Sequence, residues 1–339
     1  MSLVTDGILV AVVGASSWAA TALALKFLDR RSILDRPNER SSHQWPIPRG
    51  GGIAVVPVIV AAWSVIGIAT QAPLLHWVVV ALGASLAVVS WIDDVRDLPP
   101  APRFLSHTLA VAIVLILLPD NLLVFQGCLP LALDRIAAGL VWVWFINLYN
   151  FMDGIDGITG VETMSVGVGL TLIAALSGGM TVAGVSMTAL GLSLAAAAVG
   201  FLIWNWHPAR IFMGDVGSVP IGFFAGWLLI ATAASGAWAV ALILPAYYLA
   251  DATITLIRRA RRLEPIWRAH REHFYQKAVG SAPIHDRVSI TVGCLNLVLI
   301  ADAMLSIHRP LLALGLAAAA TTAILLLFSR MGRASLSRS

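Results

Sequence analysis

Carboxylate side chains occur where helix physics does not favour them in this 339-residue chain. Asp93 and Asp94 directly follow an apolar run that ends at Ile92. Two adjacent carboxylates repel each other, and the helix dipole disfavours anions at a helix C-terminus. A bound cation or a proton would resolve both problems. The alternative is a solvated helix end in which the acids pair with Arg96.

A second segment repeats amide and acid residues at every third position. On a continuing helix this spacing places the side chains on roughly one face, and the interleaved glycines let a ligand approach the backbone. Polar groups of this kind are costly beside lipid without a polar partner. The pattern therefore predicts ligand contacts. The alternative is a solvent-exposed helix terminus followed by a turn. Its members are Asn147, Asn150, Asp153 and Asp156.

A third acid, Asp215, stands between Gly214 and Gly217 just before another apolar run. The flanking glycines exceed what a helix cap needs, so we expect Asp215 to contact a ligand. An ordinary N-cap role is the alternative.

Two further segments supply basic and hydrogen-bonding groups. Residues 41–52 contain His43, Arg49 and three consecutive glycines, a pattern that suggests backbone N–H groups exposed to a phosphate. Residues 258–277 are rich in arginine and include His270, Arg271 and His273. This stretch is either an anion site for a diphosphate or a patch that meets anionic lipid headgroups.

The composition of the chain indicates which kind of structure must position these side chains. Hydrophobic residues make up 59% of the chain and charged residues only 12%, about half the usual charged share of a soluble domain. A membrane-spanning helix needs about 20 apolar residues, so the chain has enough for on the order of ten spans. This composition excludes a soluble enzyme, a disordered chain and a disulfide scaffold. Solid apolar runs also exclude an outer-membrane barrel, whose strands would alternate.

The apolar runs predict an all-α, polytopic integral membrane protein with about 11 transmembrane helices in a single domain, residues 1–339. The predicted active-site loops are residues 29–50, 93–103, 150–159, 205–217 and 257–287. The predicted spans are residues 7–28, 51–70, 74–92, 104–119, 132–150, 160–177, 181–204, 217–234, 237–256, 288–307 and 309–328.

Charge asymmetry predicts the orientation of these spans. One set of connections, with Lys26 at its edge, holds 20 of the 22 Lys and Arg residues, and the other side holds only Arg135 and Arg309. The positive-inside rule places the first set in the cytoplasm. The N-terminus is therefore expected in the periplasm and the C-terminus in the cytoplasm. This topology accounts for the net charge of +4 without a nucleic-acid partner.

Taken together, the chain resembles the polyprenyl-phosphate N-acetylhexosamine-1-phosphate transferases of glycosyl transferase family 4. That family includes the phospho-MurNAc-pentapeptide translocase and undecaprenyl-phosphate GlcNAc-1-phosphate transferases. Five stretches carry the resemblance, in the family's chain order and on one predicted membrane side. They are Ser42-His43 with Pro46-Ile-Pro48-Arg49-Gly-Gly-Gly52, Asp93-Asp94, Asn147 to Gly157, Phe212-Met-Gly-Asp215-x-Gly217-Ser218 and His270-Arg-Glu-His273.

The resemblance implies a multi-pass enzyme of the bacterial cytoplasmic (inner) membrane. It implies transfer of N-acetylhexosamine 1-phosphate from a UDP-sugar to undecaprenyl phosphate, with release of UMP. Such a reaction initiates a lipid-linked cell-surface glycan, for example in O-antigen lipopolysaccharide or cell-wall biogenesis. The partners would be the two substrates and membrane lipid, and a homodimer is compatible with them.

The resemblance also implies roles for individual residues. Asp215 and Asn150 would hold Mg²⁺, or Mn²⁺ in its place, since these ions prefer oxygen ligands. Asp93 and Asp94 would serve the acceptor phosphate, and Asp93, Asp94 and Asp215 would be catalytic. The remaining substrate contacts would come from Asp153 and Asp156 on the nucleotide side and from Arg271 with His270 and His273 at the diphosphate. Asn147, His43 and Arg49 complete the expected substrate-binding set.

One position departs from the common family pattern. Many relatives have a histidine where this chain has Glu272, and the loop looks more like that of O-antigen-initiating members that use 6-deoxy sugars. The sugar therefore stays open. A secondary transporter with an acidic cation or proton site on its inner face is the alternative function, although transporter sites usually lie near mid-membrane. A CDP-alcohol phosphotransferase would carry a denser Asp-Gly pattern that this chain lacks.

Overall fold

Helices dominate the computed structural model of the chain, which describes residues 3–35, 45–182, 184–265, 270–280 and 284–336. In these ranges, ten helices are long and apolar enough to cross a membrane. The prediction of an all-α polytopic membrane protein is confirmed. The helices are α1 Leu3–Arg30, α2 Gly52–Ala69, α3 Leu74–Arg96, α4 Pro100–Leu117, α5 Leu131–Phe151, α6 Ile158–Leu176, α7 Met187–Asn205, α8 Asp215–Ala234, α9 Trp238–Ile243, α10 Ala246–Arg261, α11 Phe274–Val279, α12 His285–Ser306 and α13 Pro310–Leu336.

The ninth predicted span, residues 237–256, is divided into α9 and α10. Pro245 lies between the two helices, and proline has no N–H to continue the helical hydrogen bonds and its ring clashes with the preceding turn. The broken pair occupies the place of a span, and α10 runs on to Arg261.

Two short antiparallel hairpins accompany the helices. Strands β1 (Leu34–Asp35) and β2 (Ile47–Pro48) pair before α2. Strands β3 (Thr181–Val182) and β4 (Val185–Ser186) occupy the start of the predicted run 181–204. The helix there begins only at Met187, because the Ser186 side chain caps it by accepting the backbone N–H of Ala189.

Helix α8 lies at the centre of the bundle. All of its most apolar stretch is buried, and it packs against α2, α3 and α5. Trp142 of α5 stacks on Phe223 of α8, with ring centroids 5.0 Å apart. Since Asp215 is the first residue of α8, this packing holds its carboxylate between the ends of the neighbouring helices.

A close approach of two backbones fixes the start of α8. A Cβ added at Gly52, the first residue of α2, would lie 2.2 Å from the backbone N and Cα of Gly217. We predict that Gly52→Ala forces α2 away from α8 and lowers the melting temperature in detergent, because such overpacking costs about 1–3 kcal/mol. Gly315→Ala is the matched control, because nothing lies within 4 Å of that position. Equal melting temperatures for the two variants would contradict the close approach.

Candidate active site

Three carboxylates and two arginines meet where α3, α4 and α8 and the segment before α2 come together. We call Asp93, Asp94 and Asp215 the carboxylate cluster. Arg49 Nη2 lies 2.9 Å from Asp94 Oδ1 and 2.9 Å from Asp215 Oδ1. Arg103 Nη1 lies 3.0 Å from Asp93 Oδ2, and its Nη2 lies 3.4 Å from Asp215 Oδ2. The two arginines thus link acids from separate helices into one site.

Asp94 is bound to the first turn of α8. Its carboxylate accepts the backbone N–H groups of Asp215 at 3.2 Å and Val216 at 2.9 Å. Its side chain is only 1% exposed. The positive N-terminus of α8 and Arg49 together stabilise this anion, which offsets the unfavourable end of its own helix. Asp94 therefore holds Asp215 in place.

Asp93 has two different donors, one on each carboxylate oxygen. The backbone N–H of Leu98 donates to its Oδ1 at 2.8 Å, and Arg103 contacts its Oδ2. The alternative in which Arg96 pairs with these acids is wrong for Asp93, because the start of α4 brings Arg103 there instead.

Asp215 faces the cluster and does not cap its own helix. Gly214, with a φ of 72°, is the N-cap residue of α8, and the Asp215 side chain is 14% exposed. Asn150 Nδ2 donates to Asp215 Oδ2 at 3.2 Å. Ser218 in turn donates its hydroxyl to Asn150 Oδ1 at 2.7 Å. The expected meeting of Asp215 and Asn150 is therefore present.

The expected stacking of four polar side chains along one continuing helix is wrong. Helix α5 ends at Phe151, and Gly157 takes a φ of 78°, which starts α6 in a new direction. Asn147 donates to the carbonyl of Val143 one turn earlier on its own helix. The structure thus brings Asn150 to Asp215, while Asn147 bonds within α5 and the two acids lie in the turn.

Asp153 occupies that turn close to the cluster. Burial raises the pKa of Asp153 to about 7, and the charge of Asp215 adds to this effect while a hydrogen bond with Thr159 opposes it. The carboxyl group consequently exchanges a proton near neutral pH.

Asp156 is held by two histidines that sequence reasoning missed. His207 Nδ1 lies 2.6 Å from Asp156 Oδ2, and His285 Nδ1 lies 3.1 Å from Oδ1. The Ala209 N–H also donates to Oδ2 at 3.1 Å. Burial would raise the pKa of Asp156, but the hydrogen bonds and charges from these partners outweigh it and lower the pKa. The three side chains could also hold a metal ion by type and proximity. In this arrangement their hydrogen bonds join the α5–α6 turn, the α7–α8 segment and the start of α12.

The glycine-rich segment does not present free N–H groups to a phosphate, so that expectation is wrong. Gly50 and Gly51 donate to the carbonyl of Phe212, and Gly52 donates to that of Met213. These three N–H groups are therefore occupied by hydrogen bonds that pack the segment on the loop before α8. Arg49, by contrast, points into the cluster, where Asp94 and Asp215 raise its pKa against the opposing effect of burial. His43 lies outside the described residues.

The basic stretch is partly neutralised by its own acids. Glu272 pairs with both Arg259 and Arg262, and Glu264 pairs with the same two arginines. Arg271 donates to the carbonyl of Gly280 at 3.3 Å. The described basic residues of the stretch therefore carry less free charge than the sequence indicates.

The two predicted histidines of this stretch differ in their surroundings. Burial, together with His273 and Arg259, lowers the pKa of His270 to about 4, which leaves its ring neutral. His273 Nδ1 lies 3.1 Å from Asp251 Oδ1, and Asp251 also accepts the N–H groups of Phe274 and Tyr275. Asp251 thereby fixes the start of α11.

A hydrogen bond joins this segment to the α5–α6 turn beside the cluster. Tyr275 donates its hydroxyl to the Phe151 carbonyl at 3.0 Å. His270, Arg271 and His273 are thus attached to the segment that carries Asn150 and Asp153.

Comparisons with known proteins identify the family of the chain. The pattern of the family described as Glycosyl transferase family 4 matches residues 76–233. The chain is 30% identical over 284 residues, which are 80% of it and 76% of the relative, to a probable undecaprenyl-phosphate N-acetylglucosaminyl 1-phosphate transferase of Bacillus subtilis. It is also 30% identical over 244 residues, 62% of it and 55% of the relative, to a decaprenyl-phosphate N-acetylglucosaminephosphotransferase of Mycolicibacterium smegmatis. A phospho-N-acetylmuramoyl-pentapeptide-transferase of Moorella thermoacetica is 37% identical over 95 residues, 28% of each chain.

Proposed function

Because this chain belongs to glycosyl transferase family 4, we propose that it transfers N-acetylhexosamine 1-phosphate from a UDP-sugar to undecaprenyl phosphate. An oxygen of the acceptor phosphate attacks the sugar-bearing phosphorus, the bond to the other phosphate breaks, and UMP leaves. The observation that carries the proposal is the carboxylate cluster with its two arginines at one end of a membrane bundle. Phosphoryl transfer needs mainly positioned charges of both signs.

The donor set of the site fits Mg²⁺. Around Asp215 the candidate ligands are carboxylate and amide oxygens, which this hard ion prefers, and Asp215 with Asn150 would hold it. In the present arrangement Asn150 turns its Nδ2 toward Asp215 and its Oδ1 toward Ser218, so coordination requires the amide to turn over. When bound, the ion would neutralise charge on the phosphates.

The other side chains of the site would have separate roles in the reaction. Asp93 would take the proton of the acceptor phosphate and Arg49 would bind phosphate oxygens. Asp94 would act through Asp215, because it holds the start of α8. On the nucleotide side, Asp153 is available for contact, while Asp156 supports the loops through His207 and His285. Arg271, His270 and His273 would contact the diphosphate, and the Phe151–Tyr275 hydrogen bond keeps their segment near.

An apolar cavity of about 640 Å³ lies between α5, α8 and the α9–α10 break, lined by residues that include Cys128, Trp142, Leu229, Trp238 and Leu249. Its lining on α8 begins only at Gly226, eleven residues or about 16 Å along the helix from Asp215. The cavity is apolar enough for a hydrocarbon chain, but it lies toward the opposite end of the bundle from the carboxylate cluster.

The cell location and the product follow from the same proposal. A multi-pass protein whose basic loops face the cytoplasm meets both UDP-sugars and lipid phosphates at the inner surface of the bacterial cytoplasmic membrane. The product would initiate a lipid-linked glycan such as O-antigen. The pairing of Glu272 with Arg259 and Arg262 changes the charge of the loop nearest the proposed diphosphate site, which supports a sugar other than that of the pentapeptide translocases.

A direct assay tests this function. Purified protein in detergent is incubated with undecaprenyl phosphate, Mg²⁺ and one UDP-sugar at a time, namely the GlcNAc, GalNAc, FucNAc and QuiNAc forms, and UMP release is measured. We expect UMP with at least one sugar, dependence on the lipid acceptor, and loss of activity in EDTA that Mg²⁺ or Mn²⁺ restores. No UMP with any UDP-sugar would contradict the proposal and favour a transporter. Full activity in EDTA would contradict the metal assignment alone.

A further inference from the structure

Arg103 bridges two acids of the carboxylate cluster, Asp93 and Asp215. We propose that Arg103 is a displaceable stand-in for a divalent cation: it neutralises Asp93 and Asp215 in the substrate-free enzyme, and it turns to the acceptor phosphate when the metal binds. The inference rests on the proposed function, because it takes Asp215 as the metal ligand.

Both oxygens of Asp215 have nitrogen donors in this state. Its Oδ1 receives Arg49 at 2.9 Å. Its Oδ2 receives Arg103 at 3.4 Å and Asn150 Nδ2 at 3.2 Å. Each carboxylate oxygen has two lone pairs, so a cation bound at Oδ2 would compete with Arg103 and Asn150 for that oxygen. The amide can turn over to become a ligand, whereas a guanidinium group can only compete.

Arg103 is the arginine that can leave. Its contact with Asp215 is 0.5 Å longer than that of Arg49, as the two distances of 3.4 and 2.9 Å show. Arg49 is also anchored through its backbone, which donates to the Ile33 carbonyl and bridges to Phe212. Arg103 lies in the first turn of α4, where only 28% of the apolar stretch is buried. The two side chains are similarly exposed, Arg103 to 33% and Arg49 to 38%, so the difference between them lies in the longer contact of Arg103 and in the backbone bonds of Arg49.

Electrostatic repulsion and attraction favour the replacement of Arg103 by a divalent ion at Asp215. The three carboxylates and two guanidinium groups carry a net charge of −1. A divalent ion at Asp215 would stand next to the Arg103 guanidinium, and the two like charges would repel each other. An arriving phosphate offers the displaced guanidinium two oxygens, and the planar fork of arginine matches them in a bidentate pair. The exchange also frees Asp93 Oδ2, the oxygen that would take the acceptor proton.

Metal affinity without substrate tests this exchange. The binding of Mn²⁺ to the purified protein is measured by electron paramagnetic resonance for wild type, Arg103→Gln and Arg103→Lys, and the KM for undecaprenyl phosphate is measured for the same proteins. We expect Arg103→Gln to bind Mn²⁺ at least tenfold more tightly than wild type and to raise that KM at least tenfold. Arg103→Lys keeps the charge but loses the fork, so its Mn²⁺ affinity should stay near wild type while the KM rises. A merely structural role would not move the two quantities in opposite senses.

Two controls separate this inference from the function on which it rests. Arg96→Gln removes the same charge from an exposed position at the end of α3, and it should change neither quantity. Mn²⁺ affinity that is equal or weaker in Arg103→Gln would overturn the exchange. Asp215→Asn should abolish Mn²⁺ binding, and if it binds the ion as wild type does, the metal site itself has been placed wrongly.

Discussion

Replacing Asp215 with asparagine should lower turnover by at least about a thousandfold, or about 4 kcal/mol in activation free energy. Asparagine keeps the size of the side chain and its ability to accept a hydrogen bond, but it removes the charge that faces Arg49, Arg103 and the proposed metal. Stabilisation by fixed charges is commonly the largest part of such catalysis. The measurement is the steady-state rate of UMP release at saturating UDP-sugar and Mg²⁺.

The variant must be shown to fold. The melting temperature and the elution profile in detergent should remain close to those of wild type, because Asp94 still accepts the N–H groups that begin α8. Asp120→Asn is a matched control, since Asp120 is exposed in the connection between α4 and α5. Near-normal turnover of a folded Asp215→Asn protein would remove Asp215 from the reaction.

Asp93→Asn should slow turnover by about a hundredfold to ten-thousandfold near pH 6, the range typical of a lost general base. The second ionisation of a phosphate monoester occurs at a pH of about 6, so at higher pH the acceptor has already lost its proton. The deficit should therefore shrink as the pH rises toward about 9. The ratio of wild-type to variant kcat across this range checks the prediction.

A matched substitution distinguishes this role from a general loss of charge. Asp97→Asn removes an exposed carboxylate four residues further on, at the left-handed residue that ends α3, where asparagine is well tolerated. It should leave kcat unchanged at every pH. A deficit in Asp93→Asn that is the same at all pH values would indicate a role in holding Arg103 and not in taking a proton.

The sequence predicted the membrane architecture because hydropathy is local. Solid apolar runs of about 20 residues can only be membrane spans or a wholly buried core, and the ends of the predicted runs fall close to the ends of the helices. Pro245 was a local signal for the break between α9 and α10. The apolar run continues through this proline, so hydropathy alone predicts a single span there.

The sequence also singled out Asp93, Asp94, Asn150 and Asp215, because polar side chains of these types are costly beside lipid. That they act together was implied by the resemblance to the family. The prediction that Asn147 to Asp156 share one helix face is wrong. Threefold spacing indicates one helix face only while the helix continues, and the glycine at 157 redirects the chain.

Only the tertiary structure decided which partner each charge has. Arg103, His207 and His285 carry no spacing signal toward Asp93 or Asp156, because they reach those acids across separate helices and loops. Whether the glycine N–H groups at residues 50–52 are free to bind a ligand likewise depends on the loop before α8, which packs against them and accepts their hydrogen bonds. Composition and local pattern determine which polar side chains cannot face lipid and at which end of a membrane span they lie. The packing of helices distant in sequence fixes the angstrom-scale distances that turn those groups into a site.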